Sequence, residues 1–178
     1  SGGIDSMVML HALHKLKAVR TVLHVNHNLR GAESLAEQEM VSMWCDRLKV
    51  PFVTTTLDIQ PGRGESTEMA CRRQRYDWLF KNCDTYPIAV GHHTRDQLET
   101  ILMRIGRGTS LQGLSGMVQH TTLKHGRIIR PFLYLNKADI VQYAHENNVP
   151  YKTDSSNLTT EYTRNRVRQN IIPAIEQE

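Results

Sequence analysis

Apolar positions along this chain repeat with two different periods. After an opening glycine pair, Met9, Leu10, Leu13 and Leu16 recur at helical spacing. Asp5 and Ser6 stand at the start of that helix, where such residues favour capping. Residues 19–25 are short and β-branched and predict a buried strand. Residues 36–48 return to the helical period through Met40, Met43, Trp44 and Leu48, and residues 51–57 predict a second strand. A third helix is expected over 66–80, through Met69, Tyr76, Leu79 and Phe80, and a third strand over 87–90. The clearest helix is 94–105, where Leu98, Ile101, Leu102 and Ile105 fall at i, i+3, i+4 and i+7 and are expected to face the core. Residues 127–131 predict a last strand, and 137–147 a helix with Ile140, Val141 and Ala144 inward. Polar or glycine-rich stretches at 26–33, 60–65 and 106–116 separate these elements.

Strands alternating with helices imply βαβ units, hence an α/β fold with a parallel sheet and helices on both faces. Ligands of such sheets bind beyond the carboxyl ends of the strands. The segments after Val25 and Val90 fall at such ends, and the opening loop runs into a helix in the same way. The three are therefore expected to build one site.

Composition narrows the class without choosing a function. No apolar run reaches the roughly 20 residues of a membrane helix, so no membrane partner is expected. Cys45, Cys71 and Cys83 are odd in number and include no C-x-x-C pair, which disfavours a disulfide scaffold and suits a reducing cytoplasm. The formal charge of +4 suits a nucleic-acid partner as well as many others. The chain opens directly on S-G-G-I-D-S, so a strand is expected upstream of it.

Ser1-Gly2-Gly3-Ile4-Asp5-Ser6 is a glycine loop entering a helix. Glycines let the backbone approach phosphate oxygens, and free helix N–H groups complete an anion cradle. A simple capped turn fits the same hexapeptide. No lysine follows the glycines, so this is not a Walker A loop. Asp5 makes sense beside phosphates if it holds Mg²⁺.

Asp96 and Glu99 are i, i+3 neighbours away from the apolar stripe of their helix, and can hold an ammonium group as it loses a proton. Taken alone, such a pair more often marks a solvated acidic face. His92 and His93 fit either a turn or a ligand contact, and no third residue at metal-ligand spacing accompanies them. Arg72 and Arg75 share a helix face. Arg164, Arg166 and Arg168 form a basic cluster suited to phosphates of a nucleic acid or nucleotide, or to a solvated helix with ion pairs of its own.

The opening hexapeptide resembles the PP-loop of the ATP pyrophosphatases, which cleave ATP between its α- and β-phosphates. Later segments resemble one branch of that group, the lysidine synthases. They are His24-Val25-Asn26-His27-Asn28-Leu29-Arg30; Cys71-Arg72-Arg73-Gln74-Arg75-Tyr76; and Gly91-His92-His93-Thr94-Arg95-Asp96-Gln97-Leu98-Glu99-Thr100. Arg107 to Met117, Asp154-Ser155-Ser156-Asn157 and Arg164-Asn165-Arg166-Val167-Arg168 continue the series in the family's order. The matches span nearly the whole chain.

The resemblance implies a Rossmann-like fold of the adenine nucleotide alpha hydrolase type, with residues 1–178 as one ATP-binding catalytic domain. Further tRNA-gripping domains are expected downstream. ATP and Mg²⁺ are the implied cofactors. The implied nucleotide site is Ser1, Gly2, Gly3, Ile4, Asp5 and Ser6, with His24 and Asn26 framing the adenine and Asp5 holding the metal. Arg72 is implied near the α-phosphate. Asp96 and Glu99 are implied to bind L-lysine, and Arg164, Arg166 and Arg168 to meet tRNA(Ile) bearing a CAU anticodon. The implied reaction adenylates the anticodon cytidine and replaces AMP with lysine. The segment 106–116 is expected to form a mobile wall of the base pocket, and a homodimer is compatible with all of this. Base thiolation or amidation of a small molecule are the alternatives. The missing C-x-x-C pairs count against the first, and the downstream arginines against the second.

Overall fold

A computed structural model of the chain describes residues 1–28, 31–152 and 163–176. The motif residues Leu29, Arg30 and Asp154 to Asn157 lie outside the described residues. Helix α1 (Ile4–Lys15) leads to strand β1 (Val22–Asn26), helix α2 (Ala32–Leu48), strand β2 (Phe52–Thr56) and helix α3 (Thr67–Asn82). Strand β3 (Ile88–Ala89), helix α4 (Thr94–Ile105), strands β4 (His120–Leu123) and β5 (Gly126–Ile129), and helix α5 (Lys137–Glu146) follow. The last described stretch is helical: α6 (Thr163–Arg166), a π-turn over Val167–Ile171, then α7 (Ile172–Glu176).

Strands β1 and β2 pair in parallel, with Val22 opposite Phe52 and Asn26 opposite Thr56. β3 pairs in parallel with β5, while β4 returns against β5 as an antiparallel hairpin. The parallel α/β reading therefore holds, with one antiparallel strand that the sequence pattern did not predict. Alternate residues of β1 serve opposite layers. Val22 packs with Met7, Val8, Val41, Trp44, Ile140 and others from α1, α2 and α5. Leu23 and Val25 pack with Leu79 of α3 and with Cys83 and Ile88. This period of two puts helices on both faces. Four consecutive residues of α1, Met7 to Leu10, are buried, so this helix is enclosed on all sides rather than amphipathic.

Several residues expected in the core are not there. Leu16, at 74% exposure, lies past the end of α1, and Met43 and Met69 are also exposed. The buried face of α2 runs through Val41, Trp44 and Cys45, which turns Met43 outward. The larger correction concerns α4. Its apolar stripe does not enter the core: Leu98, Ile101 and Leu102 are half-buried and Ile105 is exposed. The buried positions of α4 are Asp96 and Glu99. Burying two carboxylates is tolerated only where partners neutralise them, and those partners come from the end of the chain.

Candidate active site

The opening loop is shaped by what surrounds its glycines. Gly2 donates its N–H to Glu37 Oε1 at 2.9 Å, and a Cβ there would sit 2.5 Å from Glu37 Cγ and 2.8 Å from Met40 Cε. Gly3 is the reverse case, because a Cβ would meet only Ser1 Oγ, at 3.9 Å. Gly3 is also the N-cap of α1, and no side chain caps that helix. The first turn of α1 therefore keeps N–H groups for an anion. The Ser6 hydroxyl lies 2.9 Å from Gly3 O and 2.9 Å from Ser1 Oγ, closing the loop on itself.

Two more helices begin beside this loop. A Cβ on Gly91 would stand 3.0 Å from the Asp5 carbonyl carbon and 3.2 Å from Ser6 N, so the chain leaving β3 lies directly on the first turn of α1. Two residues later His93 caps α4. Its Nδ1 accepts from Arg95 N at 3.1 Å, while Asp96 Oδ2 accepts from His93 N at 3.0 Å. With Nδ1 acting as acceptor, the ring proton resides on Nε2. That nitrogen lies 3.7 Å from Asp5 Oδ1 and 3.5 Å from Asp96 Oδ2. Helix α5 starts at Lys137, whose Nζ donates to Asp5 Oδ1 at 2.5 Å. The positive ends of α1, α4 and α5 thus converge on Asp5.

The carboxylate pair lies one turn further along α4. Glu99 is fully buried. Its Oε2 accepts from Arg164 Nε at 2.6 Å, and its Oε1 from Arg168 Nε at 2.6 Å. Arg164 Nη2 also reaches Asp96 Oδ1 at 2.8 Å. Two carboxylates and two guanidiniums make a locally neutral, charge-assisted cluster. Asp96 is held below the usual carboxylate range despite its burial, by the His93 backbone N–H and the charge of Arg164. Arg164 and Arg168, expected to face tRNA, here turn inward onto the pair expected to hold lysine, while Arg166 is exposed.

The remaining expected residues divide between two places. His24 and Asn26 are buried on β1. Burial pushes the His24 imidazole down to about 4, and Asn26 Oδ1 accepts from Asn28 N at 2.8 Å. Beyond them a cleft of about 370 Å³ opens at the carboxyl ends of β1 and β2, lined by His27, Asn28, Thr56, Leu57, Asp58 and Ile59. Arg72 is exposed on α3 with its guanidinium 5.2 Å from the Tyr76 ring centre. Burial, with the charges of Arg164, Arg130 and Arg72, lowers His92 to about 4.

Sequence reasoning missed Lys137 and Arg130. Arg130 is buried at the end of β5 and donates to His92 Nδ1 at 3.3 Å, to Val118 O at 2.8 Å and to Thr121 Oγ1 at 2.8 Å. An arginine inside the otherwise apolar strand predicted over 127–131 was the available signal. The segment 106–116 is anchored rather than loose at its far end. Arg104 Nη1 donates to Gly113 O and Gly116 O, and Gln97 bonds both N and O of Met117.

Besides Asp5 the loop meets Glu37, whose carboxylate accepts from Gly2 N–H, and no cluster of three or more His, Cys, Asp or Glu suited to a metal occurs among the described residues. That donor set fits Mg²⁺ only as an ion completed by phosphate oxygens and water. Cys45, Cys71 and Cys83 are free thiols. No helix among the described residues is long and apolar enough to cross a membrane.

Comparison with known proteins bears on what this arrangement serves. The chain is 38% identical, over its whole length, to the tRNA(Ile)-lysidine synthase of Bacillus subtilis, of which it covers 40%. It is 36% identical to that of Bacteroides thetaiotaomicron, with 99% of this chain and 42% of that protein covered. A bifunctional protein TilS/HprT of Listeria monocytogenes is 39% identical, with 29% of its length covered. The chain therefore spans about two-fifths or less of these relatives. Among solved structures, the U34-tRNA thiolase NcsA from Methanococcus maripaludis superposes with a TM-score of 0.74, at 17% identity, over 99% of this chain and 63% of that one. At that identity the likeness speaks for the fold alone. The PP-loop domain profile matches residues 1–175, nearly the whole chain and both halves of the site just described, so this chain belongs to the PP-loop domain family.

Proposed function

We propose that this chain is the catalytic domain of a tRNA(Ile)-lysidine synthase, joining lysine to C2 of the cytidine in a CAU anticodon at the expense of ATP. The observation that carries the proposal is the bridge through His93. One imidazole nitrogen stands 3.7 Å from Asp5 at the phosphate loop and 3.5 Å from Asp96 of the carboxylate pair. On this reading the nucleotide site and the ammonium site are neighbours, as a two-step ligation requires. Identity of 36% and 38% to lysidine synthases along this chain's length supports the same reading.

In this mechanism residues 1–6 receive the pyrophosphate portion of ATP, and the cleft beyond β1 and β2 takes the adenine beside His24 and Asn26. Mg²⁺ would be held at Asp5 and would neutralise phosphate charge there. The cytidine O2 attacks the α-phosphorus and pyrophosphate leaves, with Arg72 near the charge that develops. A base acted upon in this way must leave its stack. Asp96 and Glu99 then take the lysine ammonium in exchange for one of the two guanidiniums. They accept its proton, since a free ε-amine of pKa about 10.4 is otherwise protonated. The amine attacks C2 and AMP departs. Arg164, Arg166 and Arg168 serve tRNA phosphates when not engaged with the carboxylates. A reducing cytoplasm suits the three free thiols.

The test is transfer of labelled lysine to unmodified tRNA(Ile) by the intact protein, with and without ATP, beside Asp5→Ala and Asp96→Ala. ATP-dependent transfer that both substitutions abolish is the expected result. Adenylated tRNA without lysine transfer would make lysine the wrong nucleophile. Absence of both products would overturn the reading and favour a small-molecule substrate.

A further inference from the structure

The phosphate loop carries no lysine, yet a pyrophosphate leaving group needs cations. We infer that Lys137 is the protein's own pyrophosphate-binding cation, held on Asp5 until nucleotide arrives. The inference rests on the ATP-site reading above and adds a residue to it.

Three observations support this. First, Lys137 Nζ lies 2.5 Å from Asp5 Oδ1, at the mouth of the loop, with side-chain exposures of 35% and 32%. The pair is open enough for an incoming phosphate to compete for the ammonium. Second, Lys137 is the first residue of α5, where the helix dipole disfavours a cation. A cation kept where local physics opposes it marks a site whose demands lie elsewhere. Third, its place is built. Phe132 and Leu133 are buried in the turn before α5, and Leu135 O accepts from Thr94 N at 3.1 Å and from Thr94 Oγ1 at 2.8 Å, tying that turn to the start of α4. At its far end α5 is tied to α1 by Lys15 Nζ donating to Asn147 Oδ1 at 2.7 Å. Helices α1 and α5 therefore run side by side in the same direction, and both amino ends face the loop. A flexible ammonium on a four-carbon stem can leave Asp5 for a phosphate oxygen without any backbone movement.

The prediction concerns which part of the nucleotide loses affinity. Titration calorimetry on the intact protein compares α,β-methylene ATP, inorganic pyrophosphate, AMP and adenosine for wild type, Lys137→Met and Lys137→Arg. Lys137→Met should weaken the ATP analogue and pyrophosphate by about 10- to 100-fold, the scale of a lost charged hydrogen bond. AMP and adenosine should change less than about twofold, and Lys137→Arg should recover most of the loss. A merely structural lysine would weaken all four ligands together, or none, and either result overturns the proposal. Circular dichroism melting separates misfolding from a binding defect, and the arginine variant keeps the question answerable if the methionine variant unfolds. If wild type binds adenosine but neither the ATP analogue nor pyrophosphate, the phosphate-loop reading falls and this proposal with it. If wild type binds both and Lys137→Met matches it, only the Lys137 assignment falls.

Discussion

Replacing Glu99 by Gln tests whether the carboxylate–arginine cluster is as tightly coupled as its geometry implies. The change keeps shape and removes one charge. In the wild type, Glu99 accepts from Arg168 Nε at 2.6 Å, Arg168 Nη2 at 3.1 Å and Arg164 Nε at 2.6 Å. A glutamine offers one acceptor oxygen and turns an NH₂ donor toward guanidinium donors, so at least one bond is lost and the cluster gains a net positive charge. Removing one partner of a fully buried pair costs about 3–5 kcal/mol. Here Glu99 is 0% exposed, but the Arg164 and Arg168 side chains are 28% and 31% exposed, so water can take up part of what they lose. The cost falls to about 2–3 kcal/mol once that screening is allowed for.

For a domain of this size each kcal/mol moves the melting midpoint by about 2–4 °C, which gives a drop of about 4–12 °C. The assay is thermal unfolding followed by near-ultraviolet circular dichroism, for wild type, Glu99→Gln, Arg168→Met and the double variant. The double variant should be less destabilised than the sum of the singles by about 1–2 kcal/mol, because each single strands the other member of the pair. A Glu99→Gln midpoint within about 1 °C of wild type, or strict additivity, would refute the coupling.

Two further predictions follow from local geometry. Gly3→Ala should change stability by less than about 1 kcal/mol, the scale of an N-cap substitution, because the site is open, yet should impair adenylation by filling the loop. Gly91→Ala should cost about 1–3 kcal/mol, since its Cβ would press on Asp5 backbone at 3.0 Å; equal destabilisation in a denaturant titration would defeat the distinction. His24 and His92 are each lowered by burial to about 4, against about 6.5 in an unfolded chain. Between those values the unfolded chain binds more protons, so stability falls as pH drops from about 6.5 to about 4. The loss is up to about 1.4 kcal/mol per pH unit for each histidine, and it levels off below. His24→Gln and His92→Asn should each flatten that slope in urea midpoints measured against pH, and an unchanged slope would rule the histidine out as its source.

What the sequence allowed one to read depended on whether the cause was local. The bounds of α4, Thr94–Ile105, were legible because helical spacing and an acid in the first turn are properties of a dozen adjacent residues. Strand β4 was not legible. His120-Thr121-Thr122-Leu123 has no alternating apolar pattern, and it is paired by the turn into β5 rather than by its own side chains. The chemistry of Asp96 and Glu99 could be proposed from spacing, but the face they occupy could not. Their burial depends on arginines 65 to 69 positions downstream, and charge counting cannot distinguish a guanidinium aimed at tRNA from one turned inward. The same limit hid Lys137, which meets Asp5 across 132 positions. In the sequence it reads as an ordinary polar residue opening a helix. Only its placement at the wrong end of the α5 dipole hinted otherwise. Loop and carboxylates could each be named from sequence. The contacts that join them, through His93, Lys137 and the two arginines, exist only once the chain is folded.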